Sequence, residues 1–315
     1  MKKKPFLHDK PPFLKLIMLG IIILSCTIFT LMIGVLLAFP IFGSNILQSL
    51  SNLANSTSPD IIAIGKYMQI ISQLGMFVIP SLIFAFLANR SVGGYFKLKV
   101  KPKTITILLS VFLTIAAIPL INKMVEINSF LRLPEFMSGL ENWMKASEKD
   151  AGKMTQLFLN VNTTNGLLLN LIMIAVIPAF GEEFLFRGII MRIFHEWSKN
   201  IHASIIFSAM LFSAFHMQFY GFLPRMMMGV LFGYLFYWSG TLWVPIIAHF
   251  INNALAVISA YFTFIGTANM KAMDNVGTGS SGIMMDLISL ILVAGIILMI
   301  YMVEKNKRRT EMKEV

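Results

Sequence analysis

Residues 174–194 read IAVIPAFGEEFLFRGIIMRIF, an oily run carrying two adjacent carboxylates, Glu182 and Glu183, with Arg187 close by. If the run lies in a bilayer, keeping that pair costs several kcal/mol, so the residues must serve some purpose there. The rest of the chain argues for a bilayer. Of 315 residues, 57% are hydrophobic and only 13% are charged, whereas soluble domains carry about 25% charged residues. About eight apolar runs follow one another, near 16–42, 67–89, 104–122, 166–194, 203–218, 222–240, 242–262 and 283–303. Most reach the roughly 20 residues that a helix needs to cross the hydrocarbon core. They lack the alternating pattern of a membrane barrel. The expected fold is therefore an all-α polytopic membrane protein, a bundle of about eight transmembrane helices.

Charge sets the expected orientation. The net charge of +11 is not spread as in a nucleic-acid-binding protein, and no nucleic-acid partner is expected. Lys2, Lys3, Lys4, Lys10 and Lys15 precede the first run, and Arg90, Lys97, Lys99, Lys101 and Lys103 follow the second. Arg192 and Lys199 end the fourth, and Lys305, Lys307, Arg308 and Arg309 end the eighth. With both termini cytoplasmic, every strongly basic segment falls on the cytoplasmic side, as the positive-inside rule requires. Arg225 is the exception. The apolar segment after the N-terminus is too long for the core of a signal peptide, so it is expected to be retained. Cys26 is the single cysteine, which excludes an intrachain disulfide and a cysteine-based metal cluster. Residue usage rich in Lys, Ile, Asn and Met points to a bacterial cytoplasmic membrane.

The chain divides into a basic tail (1–15), three spans (16–122), an extracytoplasmic amphipathic linker (123–165), a core (166–262), an extracytoplasmic loop (263–282), and a last span with a basic tail (283–315). The linker, too long for a simple connection, alternates apolar and charged residues. It reads as an amphipathic helix on the outer face or as a helical hairpin packed over the bundle. The triplets beginning at Asn55 and Asn162 fit glycosylation acceptors but recur by chance.

Three runs of the core carry polar groups inside the membrane. Glu183 and Arg187 stand four apart, on one helix face, and can form an ion pair. Glu182 is turned about 100° away and is left without that partner. A desolvated, unpaired carboxylate has its proton affinity raised, which suits a general base or acid. Pro178 and Gly181 loosen the helix just upstream. His216 on the fifth run, and His249 with Asn252 and Asn253 on the seventh, fall within about a turn of the same depth, counted from the basic ends at 1.5 Å per residue. Both His249 with Asn253 and Phe212 with His216 repeat the spacing of four. Counted this way, the group is expected to be reached from the cytoplasmic side. Asp286 reads as an interfacial residue at the start of the last run.

In order along the chain, GEEFLFRG fits EExxxR, FSAFH fits FxxxH and HFINN fits HxxxN. The set resembles the CPBP family of intramembrane proteases, which includes type II CAAX prenyl endopeptidases and bacterial proteins tied to bacteriocin processing or immunity. The resemblance covers about residues 166–260. It implies that Glu182 activates water together with His216, that His249 and Asn253 hydrogen-bond the developing oxyanion, and that Glu183, Arg187 and Phe212 support them. The implied reaction is peptide-bond hydrolysis in a membrane-associated peptide or lipidated protein that enters from the cytoplasmic leaflet. A metal-free, glutamate-based mechanism is favoured over zinc, which would draw on Glu182, His216 and His249; no HExxH helix is present to present two ligands and a base together. Two other classes stay open: a proton-coupled carrier, although no inverted repeat is seen, and a non-catalytic immunity scaffold of the same fold.

Overall fold

The computed structural model describes residues 5–43, 46–51, 58–266, 276–279 and 282–311. Lys2, Lys3 and Lys4, the triplet at Asn55 and most of the 263–282 loop lie outside the described residues. Among those described, every regular element is a helix. In chain order the main ones are α1 (Pro12–Phe42), α2 (Pro59–Ala88), α3 (Thr104–Ala116 and Ile118–Ser129, bent by 43°), α4 (Ser138–Leu159), α5 (Thr164–Ser198), α6 (Ile201–Phe215), α7 (Phe222–Ser239), α8 (Trp243–Phe264) and α9 (Ile283–Glu311). Six are long and apolar enough to cross a membrane, and the bent α3 makes a seventh. At 15 residues α6 falls short of a full crossing. The protein is an integral, multi-pass, all-α membrane protein.

Proline shapes α2, α3 and α5. A proline inside a helix lacks the N–H for the carbonyl four residues back and crowds it. The bend in α3 falls at Ala117, two residues before Pro119. In α2 and α5 the helix widens instead. The N–H of Ile79 reaches Leu74 O, and that of Ile177 reaches Ile172 O, each one residue farther than an α-turn. These wide turns lie just ahead of Pro80 and Pro178 and ease the clash. A third wide turn occupies Phe184–Ile190, directly after the two glutamates.

Hydrogen bonds sort the helix ends into two groups. At the basic end, Lys15 Nζ pairs with Glu196 Oε2 at 2.6 Å, joining the start of α1 to the end of α5. Lys97 O accepts from Thr241 Oγ1 (3.1 Å) and Leu98 O from Trp243 Nε1 (2.9 Å), which ties the basic α2–α3 loop to the α7–α8 turn. Lys103 Nζ donates to Val303 O at 2.6 Å. At the opposite end, Asn128 Nδ2 donates to Phe219 O (2.8 Å) and Asn122 Nδ2 to Val276 O (3.0 Å).

The linker lies at that opposite end and resolves one of the two expectations for it. It holds one long helix, α4, rather than a hairpin, and α4 packs on the bundle. Asn170 Nδ2 donates to Phe158 O at 2.8 Å while Asn170 Oδ1 accepts from Lys66 Nζ at 2.8 Å, so a buried polar chain pins the end of α4 to α2 and α5. Its other end is held by Glu141, which accepts from Leu133 N–H (3.1 Å) and pairs with Lys145 (2.6 Å). The hydrogen bond from Lys145 holds the Glu141 carboxyl below the usual carboxylate range.

Close helix approach in the core rests on small residues, as expected where lipid removes the hydrophobic driving force between helices. A Cβ at Gly229 of α7 would stand 2.9 Å from Ala209 Cβ of α6, and one at Gly181 of α5 would stand 2.8 Å from Phe77 Cβ of α2. Gly181 thus lets α2 cross directly beside the glutamates.

Candidate active site

The two glutamates have different surroundings. Glu183 is fully buried, and its Oε1 accepts from Arg187 Nη1 at 2.8 Å and from His249 Nδ1 at 2.9 Å. Arg187, 1% exposed, also donates to Gly229 O at 3.0 Å. Its guanidinium lies 4.7 Å from the Phe212 ring centroid and 5.3 Å from that of Phe232, so two ring faces help to offset its desolvation. Glu182, one residue earlier, takes no part in this ion pair. Its Oε2 is buried and stands 3.7 Å from His249 Nε2; like Glu183 Oε2, it takes no hydrogen bond from the described residues.

The ring nitrogens follow from their partners. His216 Nδ1 lies 2.8 Å from Phe212 O, and a carbonyl only accepts, so Nδ1 carries the proton. In the neutral ring Nε2 then offers its lone pair. For His249, ionised Glu183 fixes a proton on Nδ1, so Nε2 donates only when the ring is doubly protonated. The ring is clamped between aromatic neighbours: Phe232 stacks on it at 5.2 Å and Phe212 meets it edge-on at 5.9 Å. Phe212 also lies edge-on to His216 at 5.1 Å.

Asn253 is held by a consequence of Pro178. Ile174 O has no N–H four residues ahead, because that residue is proline, and Asn253 Nδ2 donates to it at 3.0 Å. Asn253 Oδ1 accepts from Asn252 Nδ2 at 3.1 Å. One N–H of the Asn253 amide remains over.

Glu182, Phe212, His216, His249, Asn252 and Asn253 all line one cavity of about 730 Å³, with Glu183 and Arg187 packed behind it. Asp286 is not among the lining residues. Besides the motif residues, the wall comes from Gln69 and Gln73 of α2, Ile121 and Val125 of α3, Met154 and Phe158 of α4, and Gln218 and Arg225 around the α6–α7 turn. All of these lie in the half that carries the linker, away from the basic loops. Counting residues from helix ends measures depth but not the direction in which a void opens, and α6 ends at Phe215, so His216 stands at the linker-side tip of a short helix.

Sequence reasoning missed several of these residues. Gln69 and Gln73 were legible in principle, because two amides four apart in an apolar run mark a polar helix face. In the sequence Arg225 stands out only as an exception to the charge rule. Phe232 carried no signal, since one phenylalanine among 27 does not stand out.

The zinc alternative can be tested against the donors. His249 Nδ1 and His216 Nδ1 are held by Glu183 and Phe212 O, which leaves Nε2 of each ring facing outward, as in histidines that bind metal through that nitrogen. Among the described residues no three His, Cys, Asp or Glu side chains come together as a metal-holding group. No step below is routed through a metal.

Residues 164–255 match the family model described as type II CAAX prenyl endopeptidase Rce1-like. The match spans α5 to α8, the helices that carry the three motifs. The protein named Uncharacterized protein YpbD from Bacillus subtilis (strain 168) is 31% identical over 96 residues, covering 30% of this chain and 48% of that protein. The chain thus spans about half the length of this curated relative. No solved structure matches.

Proposed function

We propose that this CPBP-type chain is an intramembrane endopeptidase in which Glu182 and His216 activate water and His249 and Asn253 receive the oxyanion. The observation that carries the reading is the placement of Glu182, which stays out of the Arg187–Glu183 ion pair and, unlike Glu183, lines the cavity that also holds His216.

In the proposed cycle a water donates one hydrogen bond to Glu182 and another to the Nε2 lone pair of His216. As the water oxygen attacks the peptide carbonyl, its proton passes to Glu182. The carbonyl oxygen gains charge and accepts from the spare Asn253 N–H and from His249 Nε2–H. Glu182 then hands the proton to the departing amine. General acid–base help of this kind contributes about 10²–10⁴-fold, and each oxyanion donor about 10²–10³-fold. The donor role of His249 calls for the doubly protonated ring.

Cleavage of membrane-associated reporter peptides by purified protein tests the reading. Wild type should cleave and Glu182→Ala should lose nearly all activity while keeping its fold; unchanged cleavage in the variant would remove the mechanism. Measuring bound zinc in the same preparation bears on the metal: stoichiometric zinc, with activity lost on chelation, would replace the metal-free scheme.

A further inference from the structure

We infer that Asn128, near the end of α3 and outside the segment that matches the family model, is a positioning residue for His216: it clamps the α6–α7 turn and so holds the ring in the cavity. The inference rests on the protease reading above, in which His216 orients the water.

Helix α6 alone does not fix His216. It ends at Phe215, and the His216 N–H reaches only three residues back, to Ser213 O at 3.2 Å. Met217 follows with φ of +52°, left-handed backbone that a residue bearing a Cβ rarely adopts. The bond from His216 Nδ1 to Phe212 O sets the ring against its own helix. Where the tip of that helix lies depends on what holds residues 217–223, because a helix end leaves its last carbonyls without partners inside the helix.

Four polar backbone groups of the turn are held by side chains. Asn128, 1% exposed, donates from Nδ2 to Phe219 O at 2.8 Å and accepts at Oδ1 from the Leu223 N–H at 3.0 Å. One side chain thus bridges the turn and the start of α7. Glu148 of α4 accepts from the Tyr220 N–H at 3.0 Å, and Ser213 Oγ donates to Phe222 O at 2.6 Å.

The sequence explains why a residue from α3 is needed. The first N–H groups of a helix have no partner within it, and a side-chain oxygen on the residue before the helix usually accepts one of them. In α7 that residue is Gly221, which has no side chain, and a Cβ there would collide with the Arg225 guanidinium. Asn128 supplies the cap from another helix. Its amide offers one donor and one acceptor to the turn, a pairing that an ionised aspartate cannot reproduce.

The test uses the purified full-length protein and the reporter peptides of the Glu182→Ala experiment, with kcat and KM expressed per folded molecule. Asn128→Ala should lower kcat by about 10- to 100-fold with KM little changed, the order of loss that a misplacement of about 1 Å carries. Hydrogen exchange of the 217–223 backbone should speed up in the same variant. Asn122→Ala is the control, because it removes a bond from the same helix to Val276 O, away from the turn, and it should leave kcat unchanged. If Asn128→Ala does not fold, Glu148→Ala decides: it should lower kcat less steeply, and Glu148→Gln, which keeps an accepting oxygen, should restore it. A wild-type kcat or unchanged exchange in the deciding variant would overturn the inference, as would an equal fall of kcat in Asn122→Ala. The protease reading fails separately, through unchanged cleavage in Glu182→Ala, whereas a wild-type kcat in Asn128→Ala beside an inactive Glu182→Ala removes the positioning role alone.

Discussion

Helices α1 and α5 are both long and apolar, yet they occupy opposite places in the bundle. Only 6% of the most apolar stretch of α1 is buried, against 50% for α5. Helix α1 turns Leu24, Phe29, Met32 and Leu36 outward, each at least 60% exposed. Helix α5 buries two carboxylates, a guanidinium and the small residues Gly181 and Gly188. In water greasiness would send a helix inward; in lipid the solvent is as apolar as leucine, so polar and small residues mark the interior instead. The comparison places the chemistry on α5 and its neighbours and leaves α1 a lipid-facing partner.

If that division is right, substitutions should fall off in effect from the cavity outward. His216→Ala should lower the cleavage rate by about 10²–10⁴-fold, the range of lost acid–base assistance, because the water loses the acceptor that orients it beside Glu182, with the thermal midpoint little changed. Arg187→Met should destabilise by about 3–5 kcal/mol, because it leaves Glu183 buried with one cationic partner fewer; unfolding in detergent would read this out, and a neutral result would break the account of the ion pair. Gly229→Leu should cost about 1–3 kcal/mol through overpacking against Ala209, visible as a lowered midpoint in the same assay. Leu24→Ala on the lipid face should stay within about 0.5 kcal/mol; a loss as large as that of Arg187→Met would erase the distinction between the two helices.

Much of this was legible in the sequence. The spacing of Glu183 and Arg187 announces their pairing, since four residues is one helical turn, and the apolar runs announce the spans. The three motif helices announce residues that share a cavity. Other features depend on three-dimensional packing that periodicity does not carry. Nothing local tells that His249, sixty-six positions from Glu183, turns Nδ1 onto the same oxygen that Arg187 uses. The role of Pro178 was half visible: the proline signals a freed carbonyl, but only the fold shows Asn253 reaching it. The position of α4 was open for the same reason, because an amphipathic pattern reports that one face is covered without saying what covers it.

The central claim is that neighbouring glutamates perform different work, Glu182 in the chemistry and Glu183 in holding the core. The most direct measurement takes Glu182→Gln and Glu183→Gln side by side, recording peptide cleavage and thermal midpoint for each. The account predicts that Glu182→Gln abolishes cleavage with the midpoint near wild type, while Glu183→Gln lowers the midpoint and leaves measurable cleavage in the folded fraction. Wild-type cleavage in Glu182→Gln, or a larger loss of midpoint there than in Glu183→Gln, would contradict it.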